Sequence, residues 1–381
     1  MKGGVESVCY NLALEFLKMP EYQIFQLYSH DKGTPEIPGI TAKQLPSVHD
    51  AQAVREIHDF LEVNKIDIVW NHSLNLELLS ILKGAVNGLH TKIVSIYHSS
   101  PYARIAELRD RISLALYNWL RHGNFCTFIW TLLKMPLSWC RAWQRTKMFM
   151  ESMASNSDYV CMLSDFYGEE YKKIIKDDFY PVQGIHNPLP EAKIEYKESS
   201  KRNQILVVAR HVWKNKRLDR MFRMWKLIER IFPEWQLVVL GDGPDHDAYV
   251  DLVHNLKLNR VKFEGMVDAT PYYCESKIIC MTSSFEGLPM VLIEAQQYGC
   301  VPVVYESFSA LPDIIENGKT GYRIPPFKKK IFLKQLISLM ENEKLLRQMS
   351  QNCKLHAKSF DVREIIPQWI SIFNDLIKTE S

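Results

Sequence analysis

Residues 283–295 read SSFEGLPMVLIEA and set two carboxylates, Glu286 and Glu294, eight positions apart around a turn. The apolar run before them, residues 278–282, predicts a buried strand. Pro289 suits the first position of a helix because it has no amide hydrogen to lose. A strand that leads through a turn into a helix is the repeating unit of an α/β fold with a parallel sheet. The stretch therefore predicts the fold class and a site beyond the end of one strand.

The turn offers hydrogen-bond donors to a ligand. Gly287 permits a sharp bend, and the backbone N–H groups of residues 288–291 lie at the positive end of the predicted helix. Such an end attracts anions, while acids beside it can hold the hydroxyls of a sugar. Taken alone, Glu286 and Glu294 also fit a simpler interpretation, a helix-start acid and an ordinary helix charge.

The segment resembles the Glu-x₇-Glu motif of the retaining family 4 glycosyltransferases. Other motifs of that family follow in the family's order, and the likeness is strong over residues 203–325. Before residue 203 it depends on the Gly-Gly-Val-Glu opening at residues 3–6 and on the region of His98. The further matching segments are ILVVARHVWKNKR (205–217), LGDGP (240–244), FEG (263–265), GCVPVV (299–304) and NGKTG (317–321).

The resemblance implies a role for each matching site residue. The family brings an Arg and a Lys, here Arg210 and Lys216, to the donor diphosphate, whose growing charge needs fixed cations when no metal is present. Glu286 would then hold the donor sugar, Glu294 the ribose, and His98 would face the reacting sugar. The implied catalytic residues are His98, Arg210, Lys216 and Glu286, and the implied donor-binding residues are Gly4, Arg210, Lys216, Glu286, Gly287, Leu288, Pro289, Met290 and Glu294.

Each of these assignments has an alternative. A single basic pair is usually a solvated surface, which is how we interpret the neighbouring Lys214 and Arg217. A histidine at a strand end, such as His98 or its competitor His72, is often a hydrogen-bonded structural residue.

The resemblance also implies the GT-B architecture, two Rossmann-like domains whose parallel sheets face a central cleft. The 381 residues, 46% of them hydrophobic, suffice for two domains. We expect an acceptor-binding domain over residues 1–188, a nucleotide-sugar-binding domain over 189–360, and a helix over 361–381 that returns to the first domain. A Gly-rich turn normally follows the first strand, yet here it stands at residues 3–4, so we expect that strand to be encoded upstream.

The net charge, the cysteine spacing and the length of the apolar runs argue against several classes of protein. The net charge of +3 gives no reason to expect a nucleic-acid partner. The eight cysteines are scattered without a Cys-x-x-Cys pair, and no secretory leader is present, which indicates reduced thiols in a cytoplasmic protein. Uninterrupted apolar runs of about 18 residues are lacking, so a membrane-spanning helix is not expected.

One segment suits a membrane surface. Residues 104–147 carry eight Lys or Arg against two acids, with Trp and Phe residues among them. Basic faces meet anionic head groups while aromatic rings settle at the interface. A helical excursion packed on its own core is the alternative. The basic and aromatic composition leads us to expect a peripheral contact with the inner face of the plasma membrane through these residues.

The sequence gives little support for a metal site, a nicotinamide or flavin site, or a glycosidase site. Asp245-His246-Asp247 is an Asp-x-Asp of the metal-binding type, but helix capping explains these acids without a metal. No His/Cys spacing suggests zinc, and no Gly-x-Gly-x-x-Gly suggests a nicotinamide or flavin. A glycosidase would need its two carboxylates about 5 to 9.5 Å apart. Eight residues along a helix span roughly 12 Å, which exceeds that distance, so a glycosidase is disfavoured.

The sequence thus predicts a metal-independent, retaining hexosyltransferase that uses a nucleotide diphosphate sugar, with a UDP-sugar favoured over a GDP-sugar. No cofactor is expected besides this donor substrate. The acceptor would be a glycan or a lipid-linked glycan in cell-surface polysaccharide or lipopolysaccharide synthesis. The alternatives are a non-catalytic sugar-nucleotide-binding protein, a sugar-nucleotide epimerase of the same fold, or a glycan phosphorylase.

Overall fold

The computed structural model describes residues 4–28, 39–44, 51–73, 75–108, 125–189, 191–192 and 201–378, with single positions at 112, 115 and 119. The chain divides into two compact units. Unit 1 comprises Met1–Pro101, Gln144–Pro190 and Phe360–Ser381, and unit 2 comprises Tyr102–Trp143 and Glu191–Ser359.

The strands of the described residues are short and mostly apolar. In chain order they are β1 (Phe25–Tyr28), β2 (Thr41–Gln44), β3 (Ile68–Asn71), β4 (Lys92–Tyr97), β5 (Tyr159–Met162), β6 (Val182–Gly184), β7 (Arg202–Val208), β8 (Gln236–Leu240), β9 (Val261–Gly265), β10 (Ser276–Met281), β11 (Val301–Tyr305) and β12 (Tyr322–Ile324).

Helices separate most of the strands, as expected for an α/β fold. In chain order they are α1 (Gly4–Phe16), α2 (Ala51–Val63), α3 (Leu76–Ala85), α4 (Phe125–Asn156), α5 (Asp165–Ile175), α6 (Trp213–Lys216), α7 (Leu218–Ile228), α8 (His246–Asn255), α9 (Thr270–Glu275), α10 (Met290–Gln297), α11 (Leu311–Ile314), α12 (Lys329–Glu341), α13 (Glu343–Ala357) and α14 (Val362–Lys378). Among the described residues, no helix is both long and apolar enough to cross a bilayer.

The described residues of unit 1 form two parallel sheets, β1-β2 and β3-β4-β5-β6. Its aromatic core joins both ends of the chain. The ring centroid of Trp70, in β3, lies 5.6 Å from that of Phe16 in α1 and 4.7 Å from that of Trp369 in α14. Phe373 of α14 also packs on Phe16, at 5.9 Å. The C-terminal helix is therefore part of the core of unit 1.

Unit 2 is built on one parallel six-stranded sheet in the order β12-β11-β10-β7-β8-β9. All five residues of β11 and four consecutive residues of β7 are buried, because helices cover both faces of such a sheet. The parallel α/β fold predicted from the sequence is confirmed. The grouping of residues 102–143 with unit 2 differs from the expected domain over 1–188. Lys214 pairs with Glu107 within this unit.

Candidate functional site

The loop after β7 presents a cation at the carboxyl end of the sheet in unit 2. Arg210 is exposed, and no carboxylate in the described part of the chain lies within ion-pair distance of it. Lys216 ends the short helix α6, and its side chain is only 21% exposed. The two residues proposed for a diphosphate therefore differ, since one is open to solvent and the other is enclosed.

Lys216 is paired with Glu286. Its Nζ lies 2.7 Å from both carboxylate oxygens, and Glu286 is 8% exposed. The loop before Glu286 is bound to the same segment, because Ser284 N–H donates to the carbonyl of Asn215 at 2.7 Å. The structure thus joins two residues that the sequence placed in separate motifs.

Gly241 and Gly243, in the turn after β8, pack closely against the backbone of the loop that contains Arg210. A Cβ at Gly241, whose φ is +114°, would lie 2.0 Å from the carbonyl oxygen of Ala209. A Cβ at Gly243 would lie 2.5 Å from that of His211. Both positions need glycine because the backbones touch. The Gly-Asp-Gly-Pro motif therefore acts as a structural support of the site.

The start of α10 leaves backbone donors without acceptors. Pro289 immediately precedes the helix with extended backbone (φ −73°, ψ 94°), where the sequence had placed it in the first helical position. Within the described residues no acceptor is found for the N–H groups of Met290 and Val291. Gly287 does not have a positive φ, so the turn does not use the conformational freedom expected of it. Free amides at a helix start are suited to binding an anion.

Glu294 is held by a residue that the sequence analysis missed. The hydroxyl of Tyr273, in α9, donates to Glu294 Oε2 at 2.9 Å. Tyr273 is 2% exposed, and burial followed by the Glu294 carboxylate raises its pKa well above the ordinary value. The hydroxyl therefore stays protonated and acts as a donor. Tyr273 lies 21 residues before Glu294, and no sequence motif links the two.

His98 lies in unit 1, in the loop after β4, and its Nε2 is 3.0 Å from Nδ1 of His72. Burial lowers the pKa of His98 to about 4. Burial, and then the neighbouring His98, lower the pKa of His72 well below its ordinary value. Both rings are therefore neutral near pH 7. Gly4, also in unit 1, is the first residue of α1, and Gly3 lies outside the described residues.

The Asp-x-Asp segment does not form a metal cluster within the described residues. Asp245 Oδ2 accepts a hydrogen bond from the N–H of Trp213 at 2.7 Å, so it caps α6 and not its own helix. The metal-compatible group found there is instead His211, Asp242 and His246, whose ligand atoms lie within 4.8 Å of one another. His211 Nδ1 and His246 Nδ1 are 2.9 Å apart, which is a hydrogen bond between rings.

Helix α4 exposes a large apolar and basic surface. Residues 125–150 contain four basic residues and no acid. Arg109, Arg111 and Arg121, which belong to the predicted basic segment, lie outside the described residues. The exposed large apolar residues of this helix are Phe125, Ile129, Trp130, Leu132, Leu133, Leu137, Trp139, Trp143 and Met148.

The model of the glycosyl transferases group 1 family matches residues 190–356 of the chain. It is 28% identical over 196 residues to an uncharacterized glycosyltransferase of Haemophilus influenzae, which covers 50% of this chain and 54% of the relative. It is 27% identical over 176 residues to the amylovoran biosynthesis glycosyltransferase AmsD of Erwinia amylovora, which covers 46% and 49%. The matches span about half the length of these curated relatives.

Two solved structures share the whole fold. The apo form of the lipopolysaccharide outer core galactosyltransferase WaaB has a TM-score of 0.71 and 18% identity, over 100% of this chain and 97% of WaaB. Anabaena Alr3699/HepE in complex with UDP has a TM-score of 0.76 and 14% identity, over 98% and 97%. This likeness shows that the chain has the GT-B fold of these proteins.

Proposed function

We propose that the protein is a retaining glycosyltransferase that transfers a hexose from a nucleotide diphosphate sugar to a glycan or lipid-linked acceptor in cell-surface polysaccharide or lipopolysaccharide synthesis. A UDP-sugar is the favoured donor and a GDP-sugar the second candidate. The match of residues 190–356 to the glycosyl transferases group 1 model supports the activity. HepE and the pneumococcal GtfA, which share the fold, were crystallised with UDP.

The Lys216–Glu286 pair carries the proposal. It places a cation and an acid 2.7 Å apart beside a helix start whose first amides face no acceptor among the described residues. A nucleotide sugar has both matching groups, an anionic diphosphate and a neutral hydroxylated ring. Lys216, Arg210 and the amides of Met290 and Val291 would receive the diphosphate.

The remaining residues complete the donor contacts. Glu286, freed from Lys216 by the diphosphate, would hold sugar hydroxyls, with the backbone of residues 287–289 beside it. Glu294, whose carboxylate accepts a hydrogen bond from Tyr273, would hold the ribose. By the family resemblance, His98 would contact the donor sugar.

The reaction requires no protein nucleophile in this scheme. The acceptor hydroxyl oxygen forms the new bond to the anomeric carbon while the bond from that carbon to the β-phosphate oxygen breaks. The hydroxyl proton passes to the departing phosphate on the same face of the sugar, which retains the anomeric configuration. Arg210 and Lys216 stabilise the negative charge as it grows, so we propose that no resident metal or cofactor is needed.

A donor panel tests the proposal. One nucleotide diphosphate sugar should raise the melting temperature of the protein, because a ligand at a hundredfold excess over its Kd stabilises the native state by about 2.7 kcal/mol. The shift should vanish in Arg210→Ala and persist in Arg347→Ala, which removes an exposed arginine of α13. Equal shifts in both variants would refute the donor site.

We further propose that α4 contacts an anionic membrane surface, where a lipid-linked acceptor would lie. Support comes from nine exposed large apolar side chains on a helix with basic residues and no acid before Glu151. Reversal of Lys134, Arg141 and Arg145 to Glu should weaken sedimentation with anionic vesicles at low salt. The same reversal at the exposed Lys328, Lys329 and Lys330 is the matched control. Equal sedimentation of both triple variants would contradict this contact.

A further inference from the structure

Neighbouring strands β3 and β4 of unit 1 are each followed directly by a histidine, and the two side chains are hydrogen-bonded. His72 Nδ1 and His98 Nε2 are 3.0 Å apart, the ring centroids are 5.2 Å apart, and the ring planes differ by 18°. The distance between the ring centroids exceeds the distance between the two nitrogens by about the sum of the two ring radii. Both nitrogens therefore lie close to the line that joins the centroids, and the rings meet edge to edge. The two nitrogens therefore point at each other within the ring planes, which is good hydrogen-bond geometry.

The pair shares one proton between these nitrogens. A neutral imidazole has one N–H and one bare nitrogen, so one ring must donate and the other accept. Whichever ring donates, the tautomer of His98 is tied to that of His72. Nδ1 of His98 is buried and has no hydrogen-bond partner among the described residues. It is therefore the polar atom of His98 left for a ligand.

His72 is itself held in place. The ring of Trp70 lies 5.0 Å from that of His72, and Trp70 packs at 4.7 Å against Trp369 of the C-terminal helix. A ring packed in this way cannot turn freely. Because this packing fixes the His72 ring, the hydrogen bond from His72 also fixes the orientation of the His98 ring.

We propose that His72 is a positioning residue that fixes one tautomer and one ring orientation of His98, so that His98 Nδ1 has a single hydrogen-bonding role toward the donor sugar. This inference rests on the proposed function, in which His98 contacts the sugar. His72 itself need not touch the substrate. Metal ligands are arranged in a similar way, where the partner of one ring nitrogen sets the tautomer of the other.

The kinetic test is a cycle of variants. His72→Phe should lower kcat about tenfold, the order of one ordinary hydrogen bond, with little change in donor KM. His72→Asn places an amide near the Nδ1 position and should restore most of the loss. In a His98→Ala background, His72→Phe should have no further effect. The control His58→Phe removes another imidazole hydrogen bond of unit 1, to the carbonyl of Ala85 at 2.7 Å, and should leave kcat unchanged.

A second measurement does not depend on turnover. In ¹⁵N-histidine-labelled protein at pH 7, His98 should show one protonated and one bare nitrogen, and in His72→Phe this tautomer should change or be averaged. An unchanged His98 spectrum in His72→Phe, or an equal loss of kcat in the His98→Ala background, would overturn the inference. A wild-type protein without transferase activity would refute the proposed function, and the spectra would still decide the role of His72.

Discussion

Lys216 Nζ lies 2.7 Å from each carboxylate oxygen of Glu286, and the two side chains are 21% and 9% exposed. The cation proposed for the diphosphate and the acid proposed for the sugar are thus one enclosed ion pair. When the donor binds, Lys216 would contact its diphosphate and Glu286 its sugar, so the ion pair between the two side chains would have to break. That coupling also gives Lys216 a part in folding.

Removal of Lys216 should therefore destabilise the protein. The substitution would leave the buried carboxylate of Glu286 without the cation that contacts both of its oxygens. We expect Lys216→Met to lower the free energy of unfolding by about 1–3 kcal/mol, and Glu286→Gln to offset part of that loss in the double variant. Denaturant unfolding of the wild type, the two single variants and the double variant measures these free energies of unfolding. Strictly additive losses would mean that the pair does not stabilise the fold.

Tyr273→Phe should weaken donor binding more than it slows turnover. Without the hydroxyl, Glu294 loses the donor that orients Oε2. We expect a rise in donor KM of about threefold to tenfold, the range of one hydrogen bond. Tyr171→Phe, which removes another buried hydroxyl that donates to the carbonyl of Met150, is the control. Since Glu294 is proposed to hold the ribose, a donor with a deoxyribose should show no further loss in Tyr273→Phe; equal loss with both donors would contradict this role.

Chelation should leave turnover unchanged. Fixed cations and a helix start take the place of a metal in the proposed site. The measurement is activity before and after dialysis against EDTA. Loss of activity that Mn²⁺ restores would contradict the metal-free scheme. It would direct attention to His211, Asp242 and His246, and His246→Gln would then be expected to abolish the restoration.

The buried histidine pair should make stability depend on pH. The folded protein has a His98 pKa of about 4, whereas the ordinary value is 6.5. The unfolded chain therefore takes up this proton first, so the stabilising effect is complete above pH 6.5 and is lost as the pH falls toward 4. From pH 7.5 to 5 we expect His98 to account for about 2 kcal/mol of lost stability. The loss should be smaller by that amount in His98→Phe; an equal loss in both proteins would show that the histidine is not buried neutral.

The sequence predicted β10 and the helix after it because a short apolar run there lies next to a turn. The region of residues 278–294 illustrates this: β10 ends at Met281 and α10 begins at Met290, close to the predicted bounds. Such features are determined by residues that are close together in the sequence, so the sequence pattern is enough to predict them.

Side-chain partnerships could not be predicted in this way. Lys216 and Glu286 are 70 residues apart, His72 and His98 are 26 apart, and Tyr273 gives no sign of its bond to Glu294. Asp245 looked like the cap of the helix that follows it, yet its carboxylate binds the amide of Trp213. Such pairs form only when the sheet brings distant loops to the same edge.

Release of nucleoside diphosphate, measured by mass spectrometry with and without candidate acceptors, tests the central claim most directly. The wild-type protein should release the diphosphate together with a product whose anomeric configuration matches that of the donor. Arg210→Ala should lower this rate by at least a hundredfold without loss of stability, because its exposed side chain has no ion-pair partner among the described residues. Release at the wild-type rate in Arg210→Ala, or a product of inverted configuration, would contradict the account.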